Sequence, residues 1–247
     1  MTQRTAVVTG GMGGLGEAIC IKLARMGYQV MTTCSPGNTK REAWLADMKK
    51  QGFEFKAYEI DVANFESCQL GVAKIQSECG PIDVLVNNAG ITRDMTFKKM
   101  TKADWDAVIR TNLDSVFNMT KQVLDGMVDR GWGRIINVSS VNAQKGAFGQ
   151  TNYSAAKAGM HGFTKALAYE VARKGVTVNT ISPGYIGTKM VTAIPQDILD
   201  SKILPQIPLN RLGLPAEVAG LIIYLASDEA AFVTGANISI NGGQHMS

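Results

Sequence analysis

A tyrosine and a lysine stand four residues apart in this sequence, at Tyr153 and Lys157. A free phenol has a pKa of about 10, which is too high for easy proton transfer near neutral pH. Residues four apart share one face of a helix, so the lysine ammonium would lie beside the phenol and lower its pKa. The pair therefore suits general acid catalysis, in which the phenol donates its proton to a group on which negative charge develops.

A glycine-rich run, TGGMGGLG over residues 9–16, follows an apolar stretch directly. Glycines allow a tight turn and let backbone N–H groups approach a phosphate, and the following helix N-terminus adds the positive end of its dipole. An ordinary strand–helix turn is the alternative. The position between the first strand and the first helix of a βαβ unit favours dinucleotide binding.

Strand-like and helical patterns alternate along the whole chain, which predicts an α/β fold with a parallel sheet and helices on both faces. We expect one Rossmann-type doubly wound domain over residues 1–247 with seven strands. The predicted strands are 5–9, 29–34, 54–60, 83–87, 133–139, 176–182 and 237–241. The predicted helices run from the glycine loop to about 26, then over 41–51, 65–79, 102–129, 152–173 and 215–226. The proline-punctuated, weakly periodic segment 184–211 is predicted to be a substrate lid.

Composition excludes several classes of protein. The 247 residues (26.5 kDa) are 45% hydrophobic and 19% charged, as in an ordinary globular protein, with a net charge of only +4. Basic residues cluster only in pairs, so no nucleic-acid partner is expected. No apolar run approaches the ~18 residues of a membrane span, and no signal-peptide pattern opens the chain, so we expect a cytoplasmic protein. Four separated cysteines and two histidines predict no metal site.

The order of the motifs resembles that of the short-chain dehydrogenase/reductase family over essentially the whole chain. The glycines have the spacing TGxxxGxG, and the sequence NNAG over residues 87–90 ends the fourth strand. An asparagine in the long helix, a serine after the fifth strand, the YxxxK pair and a Pro-Gly pair after the sixth strand follow in order. The matching positions are Asn112, Ser140, Tyr153, Lys157, Pro183 and Gly184.

The resemblance implies a carbonyl reductase with four catalytic residues. Tyr153 would donate the proton, and Lys157 would lower the tyrosine pKa and hold the nicotinamide ribose. Ser140 would orient the substrate carbonyl, with the adjacent Ser139 as the alternative. Asn112 would anchor a water chain that resupplies the proton from solvent. The family does not use the position of His161, which we expect to be a packed or interface residue.

The cofactor is expected to be NADP(H). Enzymes that prefer NAD place an acid about 20 residues after the loop, at the ribose 2′-OH. The stretch QVMTTCSPGNTKR over residues 29–41 has no acid, and Lys40 and Arg41 could pair with a 2′-phosphate. The alternative is that they simply begin a solvated helix. The expected cofactor-binding residues are Gly10, Met12, Gly13, Gly14, Leu15, Gly16, Ser35, Lys40, Arg41, Asp61, Val62, Asn88, Ala89, Gly90, Ile91, Thr92, Tyr153, Lys157, Pro183, Gly184, Ile186 and Thr188.

Finer similarity suggests a 3-oxoacyl thioester as the substrate. The stretches GGMGG, MTKADWDAVIRTNLDSVFN, DRGWGRIINVSS and NGGQHMS resemble those of family members that reduce acetoacetyl-CoA to (R)-3-hydroxybutyryl-CoA in polyhydroxybutyrate synthesis. The alternatives are a 3-oxoacyl-acyl-carrier-protein reductase of fatty acid synthesis and a non-catalytic NADP-binding sensor. The expected substrate residues are Asp94, Ser140, Ala147, Phe148, Gly149, Gln150, Tyr153, Gly184 and Tyr185.

Two further expectations concern the lid and the assembly. Pro195 stands where a basic residue would have helped to bind the phosphates of CoA, and Lys189 or a lysine on a neighbouring loop is a candidate substitute. The resemblance also implies a homotetramer. In the family, the helix that carries the YxxxK pair and the long helix before it pair between subunits, and the tail 238–247 would form another contact.

Overall fold

A computed structural model describes residues 3–188, 191 and 194–246. Seven parallel strands form one sheet in the order β3-β2-β1-β4-β5-β6-β7. The strands are β1 (Thr5–Val8), β2 (Gln29–Cys34), β3 (Lys56–Glu59), β4 (Val84–Asn87), β5 (Gly133–Val138), β6 (Val176–Pro183) and β7 (Asn237–Ile240). The predicted doubly wound sheet is confirmed. Its strand order reverses between β1 and β4, and in such sheets ligands bind in the crevice outside the carboxyl ends of the strands at that point.

Helices cover both faces of the sheet. They are α1 (Gly14–Arg25), α2 (Arg41–Lys50), α3 (Phe65–Cys79), α4 (Lys102–Ile109), α5 (Ser115–Asp129), α6 (Asn142–Lys145), α7 (Thr151–Val171) and α8 (Pro215–Ala226). Buried side chains of α3, α5 and α7 pack against one face, and those of α1 and α8 pack against the other. Successive residues of β1 alternate between these two clusters, with Val7 in the first and Ala6 and Val8 in the second. This alternation is the period of a strand buried on both sides.

Two parts of the helical pattern differ from the prediction. The single helix predicted over 102–129 is interrupted by a π-helical turn, Arg110–Asp114, between α4 and α5. The short helix α6 was not predicted. The predicted lid contains short helical turns over Gln196–Ile198, Leu199–Ile203 and Leu204–Gln206. The lid turns bury Leu199, Ile203 and Ile207 in a small cluster of their own.

Candidate active site

The glycine loop forms an open cradle at the carboxyl end of β1. Gly10 (φ +64°) and Gly14 (φ +55°) adopt left-handed backbone conformations that other residues rarely take. A Cβ on Gly16 would lie 2.4 Å from the Gly10 carbonyl oxygen, so the close approach of α1 requires glycine. A Cβ on Gly13 would have no neighbour within 4 Å, and Gly13, the residue before α1, has no side chain with which to cap the helix. The first N–H groups of this helix therefore face open space that suits an anion.

Hydrogen bonds join the glycine loop to the segment that follows β4. The Thr9 hydroxyl accepts the backbone N–H groups of Asn88 and Ala89, each at 2.9 Å. The Asn88 side chain donates to the carbonyl oxygens of Thr9 (2.9 Å) and Gly10 (3.3 Å). Thr9 was not among the expected site residues, although it opens the glycine motif. The Thr9 hydroxyl fixes the glycine loop after β1 relative to Asn88 and Ala89 after β4.

The turn between β2 and α2 carries the residues expected to select the cofactor. Ser35 and Lys40 are exposed, and the Arg41 side chain is 32% exposed. The Arg41 guanidinium is held by two carboxylates, through Nε to Glu42 (3.0 Å) and through Nη1 to Glu59 (3.0 Å). Neither carboxylate was among the residues predicted from the sequence.

Three other expected cofactor positions lie along the same edge of the sheet. Asp61 and Val62 follow β3, with Asp61 exposed and Val62 largely buried. Thr188 lies at the base of the lid, and a Cβ on Gly14 would be 3.7 Å from its Cγ2 atom. Asp61, Val62 and Thr188 thus all follow the carboxyl ends of strands, as the glycine loop does.

Tyr153 and Lys157 lie on successive turns of α7, and Ser140 follows β5. The Ser140 hydroxyl lies near the Tyr153 phenol, where it acts to lower the tyrosine pKa. The Lys157 ammonium donates to the Val138 carbonyl oxygen (2.8 Å) and lies 5.7 Å from the centre of the Tyr153 ring. The structure therefore brings together the three side chains that the sequence predicts to be the proton donor, the carbonyl-orienting hydroxyl and the cation.

Among the described residues, the groups that shift the pKa of Tyr153 do not include Lys157, so the expectation that Lys157 lowers this pKa stays a prediction. Burial raises the pKa of Tyr153, and the Ser140 hydroxyl only partly opposes this effect. Lys157 is itself 3% exposed, and burial lowers its pKa to about 8. The Lys157 ammonium donates to the Val138 carbonyl oxygen. Burial favours the neutral form of both the Tyr153 phenol and the Lys157 amine. The phenol consequently keeps its proton at neutral pH.

The structure separates the tasks of the two neighbouring serines. The Ser139 hydroxyl donates to the backbone carbonyl of Lys157 (2.9 Å) and meets Nε2 of His161 at 2.9 Å, inside the packing between β5 and α7. Ser140 instead faces Tyr153 and accepts the N–H of Asn142 at 3.1 Å. His161 is half-buried, and burial lowers its pKa. The geometry favours Ser140 over Ser139 as the group that meets a substrate.

Asn112 occupies the π-helical turn and is fully buried. Its side-chain oxygen accepts the N–H of Ile91 and its amide group donates to the carbonyl of Ile91, both at 2.8 Å. A Cβ on Gly90 would lie 2.9 Å from the Asn112 oxygen and 3.5 Å from the Lys157 ammonium nitrogen. The Asn112 side chain thus holds the segment after β4 beside Lys157. A water chain from this residue remains an expectation.

The expected substrate residues divide into two groups. Gln150 donates to Asp94 (2.7 Å) and accepts from Asn142 (2.8 Å), which links the loops after β4 and β5. The neighbouring Phe148 is 93% exposed. The residues Ala147, Gly149, Gly184 and Tyr185 are half-buried. Tyr185 packs against the cluster of Leu199, Ile203 and Ile207. Lys189, the candidate ligand for the CoA phosphates, lies outside the described residues.

A nicotinamide dinucleotide phosphate fits this arrangement. The open cradle at Gly13 and the N-terminus of α1 suit a pyrophosphate, and the cations at the β2–α2 turn suit a further phosphate. Among the described residues, no cluster of three or more His, Cys, Asp or Glu side chains could hold a metal ion. Within the same residues, no helix is long and apolar enough to cross a membrane.

Comparison with known proteins gives consistent results. Residues 4–199 match the family described as short chain dehydrogenase. The chain is 63% identical to an acetoacetyl-CoA reductase of Cupriavidus necator, with all of both chains covered. It is 43% identical to a 3-oxoacyl-[acyl-carrier-protein] reductase of Pseudomonas aeruginosa, over 99% of this chain and 98% of that one. A crystal structure described as a putative gluconate dehydrogenase from Agrobacterium tumefaciens superposes with a TM-score of 0.92 at 31% identity, covering 98% and 95% of the two chains.

Proposed function

The chain belongs to the short-chain dehydrogenase family, and from this membership we propose that it reduces acetoacetyl-CoA to (R)-3-hydroxybutyryl-CoA with NADPH. The observation that carries the proposal is the cluster of Ser140, Tyr153 and Lys157 at the carboxyl end of the sheet. The 63% identity to an acetoacetyl-CoA reductase supports this choice of substrate, and the product of such a reduction could serve polyhydroxybutyrate synthesis.

The chain's own residues perform the proton chemistry. When bound, NADPH supplies a hydride to the ketone carbon. Ser140 donates a hydrogen bond to the ketone oxygen, and Tyr153 transfers its phenolic proton to that oxygen as negative charge develops there. Burial keeps Tyr153 protonated at neutral pH, which suits an acid in the direction of reduction. The Lys157 cation stabilises the phenolate that proton transfer leaves behind.

NADPH is the proposed hydride donor because of the charges after β2. No acid occurs in residues 29–41, whereas Lys40 and Arg41 lie at the start of α2. A 2′-phosphate gains charge-assisted hydrogen bonds from such cations, and NADH lacks that phosphate. The 2′-phosphate would have to share Arg41 with Glu42 and Glu59.

The second candidate substrate is a 3-oxoacyl group on acyl carrier protein, since the chemistry is the same. The lower identity to the carrier-protein reductase, 43%, favours CoA. A carrier protein is a strongly acidic partner whose docking relies on a basic surface, and this chain carries a net charge of only +4. A non-catalytic NADP-binding sensor is the third candidate, and such a protein has no need of a proton donor beside its cofactor.

Steady-state assays with acetoacetyl-CoA and with acetoacetyl carrier protein test the proposal. We expect a higher kcat/KM for the CoA ester, weak dependence on salt, and the (R)-alcohol as product. A much higher kcat/KM for the carrier-protein ester, or the (S)-alcohol, would contradict it. NADPH binding without oxidation in the presence of either thioester would favour the sensor.

Assembly and location are part of the same proposal. We propose a homotetramer, and exposed aromatic side chains such as Phe117, Tyr169 and Phe232 provide apolar surface for contacts between subunits. Sedimentation at micromolar concentration distinguishes a tetramer from a monomer. We propose the cytoplasm as the location because both reactants, NADPH and a CoA thioester, are intracellular metabolites.

A further inference from the structure

Glu59 lies at the point where the sheet meets the cofactor-selecting turn. It is the last residue of β3 and pairs in the parallel register with Cys34, the last residue of β2. One carboxylate oxygen accepts Nη1 of Arg41 at 3.0 Å, and the other accepts the N–H of Gly37 at 3.4 Å. A single carboxylate therefore ties both the backbone of the turn and the guanidinium of Arg41 to the end of β3.

Arg41 needs such a restraint because of where it lies. It is the first residue of α2, at the surface, and a free arginine side chain there has considerable rotamer entropy. The guanidinium has five N–H donors, and the contacts to Glu42 and Glu59 use one each. Three donors remain for an incoming phosphate.

We propose that Glu59 is a positioning residue for the selection of NADPH, acting through Arg41. By holding the guanidinium before the cofactor binds, it removes part of the entropy that an unrestrained arginine would lose on binding the 2′-phosphate. The inference rests on the proposed use of NADPH. Glu59 would thus contribute to the discrimination between NADPH and NADH without contacting the cofactor itself.

The negative charge of Glu59 by itself would weaken NADPH binding, since a carboxylate repels the 2′-phosphate. The ion pair with Arg41 largely compensates this charge, because the two groups are in direct contact. Glu42 is a matched comparison. It contacts the same guanidinium at the same distance but belongs to α2 itself, and its side chain is 78% exposed. Removing its charge leaves the tie between Arg41 and the sheet intact.

Titration of the full-length protein with NADPH and NADH, followed by cofactor fluorescence, tests the proposal. For Glu59→Ala we expect about threefold to tenfold weaker binding of NADPH, corresponding to the ordering of one long side chain. Binding of NADH should change less than twofold. Glu59→Gln keeps one acceptor for Arg41 and should lose less than Glu59→Ala, and Glu42→Gln should stay within twofold of the wild type for both cofactors.

A double-mutant cycle makes the test specific. In an Arg41→Ala background, Glu59→Ala should no longer weaken NADPH binding, because the residue through which it acts is gone. Equal losses for NADPH and NADH, additive losses in the cycle, or tighter NADPH binding by Glu59→Ala would overturn the proposal. If the wild type itself binds NADH more tightly than NADPH, the proposed cofactor is wrong. If the wild type prefers NADPH and Glu59→Ala leaves the ratio of the NADPH and NADH affinities unchanged, only this inference fails.

Discussion

Burial acts in opposite directions on the two ionisable groups of the candidate site. It raises the pKa of the Tyr153 phenol and lowers that of the Lys157 ammonium to about 8, because in both cases it favours the neutral form. A protonated phenol is the form that a reductase needs. A lysine that titrates near pH 8 remains mostly cationic at neutral pH, so the site keeps both an acid and a positive charge.

The first prediction concerns the proton donor. Tyr153→Phe keeps the ring but removes the hydroxyl, so NADPH should still bind while kcat for reduction falls by about 10²–10⁴-fold, the usual contribution of general acid catalysis. Steady-state kinetics with a parallel cofactor titration measure both effects. Tyr224→Phe is the control, since Tyr224 lies on α8 and is 41% exposed. If Tyr153→Phe keeps more than about a tenth of the wild-type activity, Tyr153 is not the general acid.

The second prediction concerns the stability of the protein at alkaline pH. The folded pKa of Lys157 lies below its unfolded value, so the unfolded chain binds more protons between about pH 8 and 10.5. Stability should therefore rise with pH in this window. Relative to Lys157→Met, the wild-type free energy of unfolding should increase by about 2 kcal/mol between pH 7 and pH 10. Urea denaturation of both proteins at several pH values measures this difference, and parallel curves would contradict the prediction.

At the residue scale, the sequence predicts the types of the groups but not their non-local partners. The spacing of Tyr153 and Lys157 indicates one helical face, and that is where they lie. Nothing local distinguishes Ser139 from Ser140, because their tasks depend on the packing of α7 against β5. The hold of Glu59 on Arg41 likewise spans two strands, and no spacing rule indicates it.

At the scale of elements, local capping signals explain which boundaries could be predicted. Helix α3 begins after Asn64, whose side chain accepts the N–H of Ser67, and α8 begins with Pro215 at its first position. Both helices have the predicted bounds. The π-helical turn at Arg110–Asp114 has no such signal. It widens the helix at Asn112, whose side chain is tied to Ile91, so tertiary contacts specify it.

The third prediction tests that tie. Asn112→Ala leaves the N–H and the carbonyl of Ile91 without their partner, and we expect a loss of about 2–4 kcal/mol in the free energy of unfolding. Because the segment after β4 also lies beside Lys157, kcat per folded molecule should fall. Val116→Ala, a buried change in the same helical stretch, should destabilise by a comparable amount through lost packing without lowering kcat. Equal kcat values for the two variants would show that Asn112 acts on stability alone.

At the scale of the whole molecule, the two ends of the sheet have different tasks. The carboxyl ends carry the candidate site, whereas the amino ends are joined by a charged cluster around Trp132. The guanidinium groups of Arg4 and Arg134 lie 3.7 and 4.3 Å from the centre of the Trp132 ring. Asp228 accepts from Arg4 and from the Trp132 indole, both at 3.0 Å. This cluster links the start of β1 to the start of β5 and to the segment after α8.

The last prediction concerns this cluster at low pH. The hydrogen bond from Arg4, followed by that from Trp132, lowers the pKa of Asp228. A carboxylate with a depressed folded pKa stabilises the protein above its unfolded pKa of about 3.9, and this contribution is lost as the pH falls through the folded pKa. Because the Asp228 side chain is 66% exposed, solvent screens the interaction. We therefore expect Asp228→Asn to lower the free energy of unfolding by only about 0.5–1 kcal/mol at pH 7.

The difference between the wild type and Asp228→Asn should shrink as the pH falls below about 4, since the wild-type carboxyl group then becomes neutral as well. Urea denaturation at pH 7 and at progressively lower pH measures it. Glu229→Gln changes the neighbouring exposed carboxylate, which forms no ion pair among the described residues, and should leave stability unchanged at every pH. Reductase activity per folded molecule should be the same in all three proteins, because the cluster lies at the end of the sheet opposite Tyr153. A loss of activity in Asp228→Asn without a loss of stability would show that the two ends are coupled.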